Sequence, residues 1–469
     1  MSGVLRFVFT SLLACLSIDS LKASNAKIAT DWNAEILEIA DSEDAFTTLK
    51  GLRTVTLMHL AMHDALNSRT SKYARYSSIQ PEFEGSGHGP EPSSRNLSGN
   101  MSGNGPKKVP ENVPSNQRGS AIAVHAAYYV ATSFYPDHAA RLEVLRDQQL
   151  AHLLELSRPN ATKSHGAAIA AAVIKSRRGD GWDTDAEYNW HPMAPGVYAE
   201  FNEHSGTPEG FVFGAGWAQA RGFGFSEAEY FRVAPPPSID SDAYTQAFNE
   251  VKAIGRFQSI RRTADQTHIA LWWKDFVENS HNRLARDLIE QESIELIDAV
   301  RLLALLNTSI FDAYIASFNN KFHFNHWRPY TAIRWADNDG NDATLAESTW
   351  TNTHQHTYAF PSYPSAHGTA CAAAMTIMES VFGKNYAFTM STPLVDRAGP
   401  FSGKIEMQPS TRSFAAFSDA ADQCAESRVF LGIHFRYDAV TGVTLGRRVG
   451  ENTLKRLLNP SAFNPAAYR

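Results

Sequence analysis

The sequence predicts an all-α fold. Apolar side chains recur at three- and four-residue steps in its long segments, as in Leu52–Leu66, which is the period of a helix with one buried face. No series of alternating strands, no internal repeat and no coiled-coil heptad pattern is found. With 43% hydrophobic residues over 469 positions, the chain can bury a large core. We therefore predict one large helical domain over residues 27–469.

The first 26 residues are predicted to be an export signal. Arg6 supplies the positive charge, residues 7–16 are apolar, and residues 24–26 are small enough for a cleavage site. A poorly ordered apolar N-terminus and a lipoprotein anchored at Cys15 are the alternatives. After the signal only Cys371 and Cys424 remain, so one disulfide bond and two unpaired cysteines both stay open. The expected location is periplasmic or secreted.

The helical pattern is interrupted at recognisable places along the chain. Residues 32–69 are predicted to be helical, and residues 77–118, which are rich in Gly, Ser, Pro and Asn, are predicted to form a long flexible loop. Helical character resumes at Ala121, pauses at Pro159 and is followed by irregular chain over 179–237. Several helices are then expected between residues 242 and 318, with a break near 279–281.

Charge and hydropathy exclude some functions. The formal net charge of -6 disfavours binding to nucleic acid through bulk positive charge. The most apolar long stretch, residues 296–318, contains Asp298, Arg301, Asn307 and Asp312. A span of the hydrocarbon core would hold few such groups, so this stretch is predicted to be a buried core helix and no membrane span is expected.

Three short blocks near the C-terminus hold the residues with chemical potential. Lys321 and Arg328 are seven positions apart, or two helical turns, so both cations are expected on one helix face. Ser365 to His367 precede a helix-forming run, and a helix N-terminus offers free backbone N–H groups to an anion. Alone, each block has an ordinary explanation, such as a solvated charged face or a serine cap.

The third block contains Ser427, Arg428, His434 and Asp438. His434 and Asp438 have an i,i+4 spacing on a predicted helix, where the carboxylate would hold one ring nitrogen and leave the other as a ligand or nucleophile. Taken together, the blocks provide three cations, a helix N-terminus and two imidazoles. This set suits a bound phosphate or vanadate.

The three blocks resemble the signature shared by type-2 phosphatidic acid phosphatases and vanadium haloperoxidases, which implies the helical-bundle fold of that superfamily. The matching patterns are Lys321-x6-Arg328-Pro329, Pro364-Ser365-Ala366-His367 and Ser427-Arg428-x5-His434-x3-Asp438. Three further segments resemble soluble bacterial vanadium-dependent haloperoxidases: Ala61–Asn67, Pro235–Asp240 and Arg262–Ala270.

The resemblance implies a role for each matching residue. Lys321, Arg328 and Arg428 would neutralise the oxygens of a vanadate cofactor, with Ser365 and the backbone N–H of Ala366 donating to it. His434 Nε2 would bind vanadium and Asp438 would orient the ring. His367 would be the acid–base group toward hydrogen peroxide, and Lys321 would polarise the peroxide that oxidises a halide. A small organic acceptor would receive the halogen.

Two positions depart from the family pattern. Ala366 replaces the usual glycine, which would strain the backbone if a positive φ were needed there. Phe318 stands where haloperoxidases often have Trp, while Phe360 matches an aromatic of some members. Both phenylalanines are expected to border the halide pocket.

Other histidines receive structural interpretations. His323 and His326 are expected to be ordinary histidines of the helix that carries Lys321, with shaping of the pocket as the alternative. His59 and His63 form an i,i+4 pair without a visible third metal ligand, so surface or core roles are favoured.

Two other functions use the same residues. In an exported acid phosphatase, His434 would attack phosphorus and His367 would protonate the leaving oxygen. Chain length, the 59 residues between His367 and Ser427, and the upstream segments favour the haloperoxidase. A non-catalytic oxyanion-binding protein is the third hypothesis, and the presence of both histidines argues against it.

Overall fold

The computed structural model describes residues 25–46, 48–77, 115–151, 153, 159–199, 211–399 and 402–461. Within these ranges the chain is mostly helical, as predicted. The helices are α1 (25–44), α2 (Lys50–Thr70), α3 (Ser115–Phe134), α4 (Ala139–Ala151), α5 (Pro159–Ser176), α6 (Asp242–Ile254), α7 (Ala264–Trp272), α8 (Val277–Gln291), α9 (Leu296–Phe324), α10 (Pro329–Trp335), α11 (Ala366–Phe382), α12 (Phe417–Phe430) and α13 (Arg436–Arg456).

Two sequence predictions fall largely outside the described residues. The predicted export signal is described only at residues 25–26, which begin α1. The predicted loop of residues 77–118 is described only at its two ends. At its C-terminal end the prediction was too long, because α3 already begins at Ser115.

Helix α9 is the central element, and it packs against α2, α11 and α13. It is long and apolar enough to cross a membrane by length and composition, and 94% of its most apolar window is buried inside the protein. Its Asp, Arg and Lys side chains have hydrogen-bond partners; Asp312, for example, accepts hydrogen bonds from the backbone N–H groups of Phe223 and Gly224 at 2.6 and 2.7 Å. The prediction of a buried core helix is therefore confirmed for these residues.

The predicted break near residues 279–281 was wrong, since α8 runs through it from Val277 to Gln291. The polar residues of this run are hydrogen-bonded to nearby residues of the chain, and the next residue, Asn282, is fully buried. The side chains of Asn282 and Asn307 exchange two amide hydrogen bonds of 2.8 Å, and Asn33 donates a third to Asn282. The three asparagines lie on three different helices. The local sequence therefore could not show that their buried amide groups are hydrogen-bonded to one another.

Four short strands accompany the helices. Strand β1 (Phe388–Ser391) pairs with β4 (Thr411–Phe414), and β2 (Leu394–Asp396) pairs with β3 (Lys404–Glu406), both antiparallel. Sequence reasoning missed them because three or four residues are too few to establish an alternating pattern. They lie between α11 and α12 and leave the all-α class unchanged.

Glycines let α13 approach α11 closely. A Cβ at Gly442 would lie 2.7 Å from the carbonyl oxygen of Ser365, and one at Gly446 would lie 2.1 Å from that of Thr369. Both distances are shorter than a carbon–oxygen contact allows, so only glycine fits. This packing places the N-terminus of α11 beside the N-terminus of α13, which is where the second and third sequence blocks lie.

A disulfide bond joins Cys371 on α11 to Cys424 on α12, which resolves the alternative that the sequence left open. Cys371 lies one helical turn after His367, and Cys424 lies one turn before Arg428. The sulfur atoms also lie within 4.8 Å of a ring nitrogen of His367. The bond therefore ties together the two helix turns that carry these functional side chains.

Replacing both cysteines with serine is expected to lower the free energy of unfolding by about 2–5 kcal/mol, since the bond closes a long loop in the unfolded chain. The bonded residues are 53 positions apart. Urea unfolding of the variant and the unreduced protein would measure the difference. Two titratable thiols in the denatured, unreduced protein would contradict the bond.

Candidate active site

The three sequence blocks meet at one cavity of about 990 Å³. Ala366, His367, Arg428 and His434 line its inner end. Lys321, Arg328 and Ser365 are buried next to these residues, at 0% exposure each. The structure thus brings together all seven residues that the sequence assigned to an oxyanion site.

Lys321 and Arg328 converge, although not along one helix face as predicted. Helix α9 ends at Phe324, because Asn325 adopts a left-handed conformation with φ of 48°. The side chain of Asn325 donates to the carbonyl oxygen of Tyr198 at 3.1 Å, which helps to hold this turn. Arg328 then precedes α10, so the chain reversal after α9 brings the two cations to the same site.

Both cations are held by backbone carbonyl oxygens. Lys321 Nζ donates to Pro361 and Ser362 at 2.9 and 2.6 Å. Arg328 Nε donates to Phe360 at 2.9 Å and Nη1 donates to Ile433 at 3.0 Å. Burial lowers the pKa of Lys321 well below its usual range and that of Arg328 to about 10. A bound anion would raise both pKa values again, because its negative charge offsets this desolvation.

Arg428 lies in the last turn of α12 and donates from Nη1 to the carbonyl oxygen of Trp273 at 3.3 Å. Its Nε atom is buried and has no hydrogen-bond partner among the described residues, as is the case for Nη2 of Arg328. Buried guanidinium N–H groups are rarely left unsatisfied. Both groups are therefore available to an anion at the inner end of the cavity.

Ser365 caps the N-terminus of α11, where its hydroxyl oxygen accepts a hydrogen bond from Gly368 N at 3.2 Å. The hydroxyl hydrogen stays free to donate to an anion. Ala366 is the first residue of the helix and is not among the residues with positive φ, so replacing the family's glycine causes no backbone strain. Its backbone N–H belongs to the unpaired first turn of the helix.

His434 and Asp438 make the predicted contact, but they do not share a helix. Helix α13 begins at Arg436, so His434 precedes it and Asp438 lies in its first turn. Asp438 Oδ2 accepts from His434 Nδ1 at 2.8 Å and from Phe435 N at 3.1 Å. Arg328 Nη1, which can only donate, lies 3.3 Å from His434 Nε2. Both contacts place the hydrogen on Nδ1 and the lone pair on Nε2, where a ligand would replace the contact with Arg328.

Ser362 belongs to the site and was missed by sequence reasoning. Its hydroxyl donates to Asp438 Oδ2 and lies 3.3 Å from His434 Nδ1. This bond opposes the effect of burial, which raises the pKa of Asp438 to about 6. The only sequence signal was its place inside the second block, two residues before Pro364.

Replacing Ser362 with alanine is expected to weaken vanadate binding about 10- to 100-fold, as for other partners that orient a ligating histidine. Isothermal titration of the stripped protein with orthovanadate would measure the affinity. Replacing Ser380, a distant serine that donates to the carbonyl oxygen of Ile377, should leave the affinity unchanged. Unaltered vanadate affinity in the Ser362 variant would rule out the orienting role.

His367 is poised as a neutral base. One ring nitrogen bonds to the backbone of Trp273, and Nε2 is buried without a partner among the described residues. The bonded nitrogen is therefore Nδ1, which donates to a carbonyl oxygen and leaves Nε2 with the lone pair. Burial and Arg428 hold the pKa of His367 well below its usual range. The ring is thus uncharged at neutral pH and can accept a proton.

The residues fit a tetrahedral oxyanion. Lys321, Arg328 and Arg428 are all buried here, and the negative charge that acts on Lys321 and Arg328 is that of Asp438, so the three cations outnumber it. The unpaired donors Arg328 Nη2 and Arg428 Nε and the first turn of α11 would supply hydrogen bonds. His434 Nε2 would supply the one lone pair that a vanadium centre needs beyond its oxygens.

The outer wall of the cavity is aromatic. Phe318 and Phe360 both line it, with ring centroids 5.2 Å apart. Phe213 and Trp217 extend the same cluster, and Trp217 lies 4.9 Å from Phe318. The two phenylalanines assigned to a halide pocket therefore lie together next to the oxyanion site.

The remaining histidines have structural surroundings. His59 and His63 are fully buried in α2 and contact Asn33 and Asp64, at 3.2 and 3.4 Å respectively. His323 is exposed on α9. His326, which lies beyond the end of α9 rather than on it, is buried 2.7 Å from the hydroxyl of Tyr437.

Comparisons with known proteins agree with this geometry. Residues 301–461 match the family model of the second helical-bundle domain of vanadium chloroperoxidase. A vanadium chloroperoxidase from Curvularia inaequalis is 27% identical over 277 residues, which cover 46% of this chain and 44% of that protein. The chain thus matches less than half the length of this curated relative.

Solved structures extend the likeness to nearly the whole chain. A bacterial vanadium-dependent iodoperoxidase superposes with a TM-score of 0.65 at 20% identity, covering 94% of this chain and 98% of that one. The holo form of a bacterial vanadium-dependent chloroperoxidase superposes with a TM-score of 0.61 at 16% identity, covering 86% and 90%. At these identities the superpositions establish a shared fold.

Proposed function

Because the chain has the fold of the vanadium haloperoxidases and matches the second helical-bundle domain of vanadium chloroperoxidase, we propose that it is a vanadate-dependent haloperoxidase, which oxidises halide with hydrogen peroxide. The main support for this proposal is the grouping of two buried N–H donors without partners, Arg328 Nη2 and Arg428 Nε, with the lone pair of His434 Nε2. This set matches the charge and the coordination chemistry of vanadate.

The protein groups bind and orient the reactants. Vanadate, when bound, supplies a Lewis-acidic centre at which hydrogen peroxide is activated toward halide. Lys321, Arg328 and Arg428 neutralise the negative charge, while Ser365 and the N–H of Ala366 donate hydrogen bonds. His434 offers Nε2 as the ligand, and Asp438 keeps the hydrogen on its Nδ1. Because these groups are buried, their electrostatic effect is stronger than it would be in water.

His367 handles the proton of the incoming peroxide. The residue lines the cavity, its Nδ1 is fixed to the backbone of Trp273, and its Nε2 carries the lone pair. Transfer of a peroxide proton to Nε2 raises the nucleophilicity of the peroxide oxygen. Phe318 and Phe360 form an aromatic wall beside the site.

The acid phosphatase is the alternative reaction for these residues, and the relatives that were found do not favour it. The non-catalytic hypothesis has less support, because both histidines are present in productive tautomers.

The decisive assay uses the chain from Lys27 after removal of bound metal and phosphate. Triiodide formation and bromination of monochlorodimedone would be followed with hydrogen peroxide, with and without orthovanadate. Hydrolysis of p-nitrophenyl phosphate would be measured in parallel. Halide oxidation that depends on vanadate is the expected result. Ester hydrolysis that vanadate inhibits, without halide oxidation, would overturn the proposal.

We also propose that the enzyme is exported to the periplasm or secreted and acts without a membrane span, on a small organic acceptor. The apolar segment at residues 7–16 and the Cys371–Cys424 disulfide support export, since such bonds persist in oxidising compartments. Fractionation of expressing cells would locate the protein, and a cytosolic pool with the full N-terminus would contradict export.

A further inference from the structure

Glu278 is a buried carboxyl group of the cavity wall that none of the roles above uses. It lies in the first turn of α8 and is 4% exposed. It lines the same cavity as His367 and Arg428. The hydroxyl of Tyr314, on α9, donates to Glu278 Oε2 at 3.0 Å.

The proposed reaction consumes a proton. One hydrogen peroxide, one halide ion and one proton give one hypohalous acid and one water. The halide donates an electron pair to one peroxide oxygen, the O–O bond breaks, and the other oxygen leaves as water. The two products contain three hydrogens and the peroxide supplies two, so the third must enter from elsewhere. His367 only returns a proton that it has taken from the peroxide.

We propose that Glu278 supplies this third proton to the leaving oxygen across the cavity, an inference that rests on the proposed haloperoxidase function. The carboxyl group gives up its proton in each turnover and regains one from solvent. Among the carboxyl groups that line the cavity within the described residues, Glu278 is the buried one; the others are Glu43, Asp44, Asp183 and Asp185.

The surroundings of Glu278 suit a proton donor. Asp275 precedes its helix and Asp44 faces it from α1, and both negative charges oppose ionisation. Tyr314 from α9 and the backbone N–H of Glu278 favour the carboxylate, yet burial outweighs them and raises the pKa of Glu278 to about 7. The group is therefore protonated below this pH and ionised above it.

A route for reprotonation is present. Glu43 and Asp44, at the end of α1, line the same cavity, and the side chain of Glu43 is 28% exposed. The cavity therefore reaches the surface here, and water in it can carry protons from solvent to Glu278. In contrast, Asp438 is committed to His434, Phe435 and Ser362 and does not line the cavity.

The test compares Glu278→Gln with Glu43→Gln, which makes the same change at an exposed position of the cavity. In the unsubstituted enzyme kcat for iodide oxidation should fall as the pH rises through about 7. In Glu278→Gln this pH-dependent fall of kcat (the alkaline limb of the pH profile) should be absent. Its kcat at pH 6 should be about 10²-fold lower than that of the unsubstituted enzyme. Glu43→Gln should keep the limb, and phosphate affinity should stay unchanged in both variants.

A second measurement needs neither vanadate nor turnover. Burial also raises the pKa of Asp312 to about 7 and that of Asp438 to about 6, so the Glu278 band is taken as the difference between the infrared spectra of the unsubstituted protein and Glu278→Gln. This difference band of a protonated carboxyl group should be present at pH 6 in the vanadate-free protein and should disappear by pH 8. Tyr314→Phe, which removes the hydroxyl that favours the carboxylate, should move both the band and the kinetic limb to higher pH. It also serves as the test if Glu278→Gln fails to fold.

An active Glu278→Gln enzyme with the original pH limb would overturn the inference alone and leave the proposed function standing. Absence of the carboxyl band at pH 6 would also overturn it. An unsubstituted enzyme that oxidises no halide would defeat the proposed function, and the inference with it.

Discussion

Replacing His434 with alanine is expected to abolish vanadate binding. His434 Nε2 is the lone pair aimed at the oxyanion site, and the buried cations around it cannot replace a coordinate bond. The loss should exceed the 10- to 100-fold effect typical of residues that only orient a ligand. Titration of the stripped protein with orthovanadate, followed calorimetrically, would measure it.

The matched control is His323→Ala, because His323 is an exposed histidine on α9 away from the cavity. Its vanadate affinity should equal that of the unsubstituted protein. Inorganic phosphate binds without a coordinate bond from histidine, so His434→Ala should lose less affinity for phosphate than for vanadate. Equal losses for the two anions would contradict the ligand role.

Replacing His367 with alanine is expected to spare vanadate binding and to lower kcat for halide oxidation about 10²- to 10⁴-fold, the range for a lost acid–base group. The physical reason is the position of its unpaired Nε2 at the cavity and its anchorage to the backbone of Trp273. Calorimetric affinity and steady-state kinetics, measured on the same preparation, would separate the two effects.

The pH dependence gives a second check on His367. A base must be unprotonated to act, and burial together with Arg428 holds the pKa of His367 well below its usual range. Activity that depends on this group should therefore persist at pH 6 and fall only in more acidic solution. Equal loss of vanadate binding in the His367 and His434 variants would contradict the division of roles between them.

Helical periodicity and residue chemistry were sufficient to predict much of this protein. The three- and four-residue spacing of apolar side chains reports which face of a helix is buried, and this is a local property, so the all-α class and the buried stretch at 296–318 followed from it. The residues of the oxyanion site could be named because Lys, Arg, Ser and His in this order resemble a known signature.

Tertiary structure alone decided how those residues meet. Lys321 and Arg328 converge through the reversal at Asn325 rather than along a helix face. His434 stands before α13 instead of on it, and the bond to Asp438 comes from the capping geometry of that helix. The short strands and the buried amides around Asn282 also escaped sequence reasoning, and the structure decided the Cys371–Cys424 bond that the sequence left open.

The physical reason is the range of the interactions. A helix period repeats within a few residues, whereas Ser362 reaches Asp438 across 76 positions, and Glu278 reaches Tyr314 across 36. Whether such polar groups are buried, paired or left free depends on which helices pack together. The sequence by itself therefore determined the fold class and the chemical inventory of the site, while packing decided the tautomers, the charges and the free donors on which its function depends.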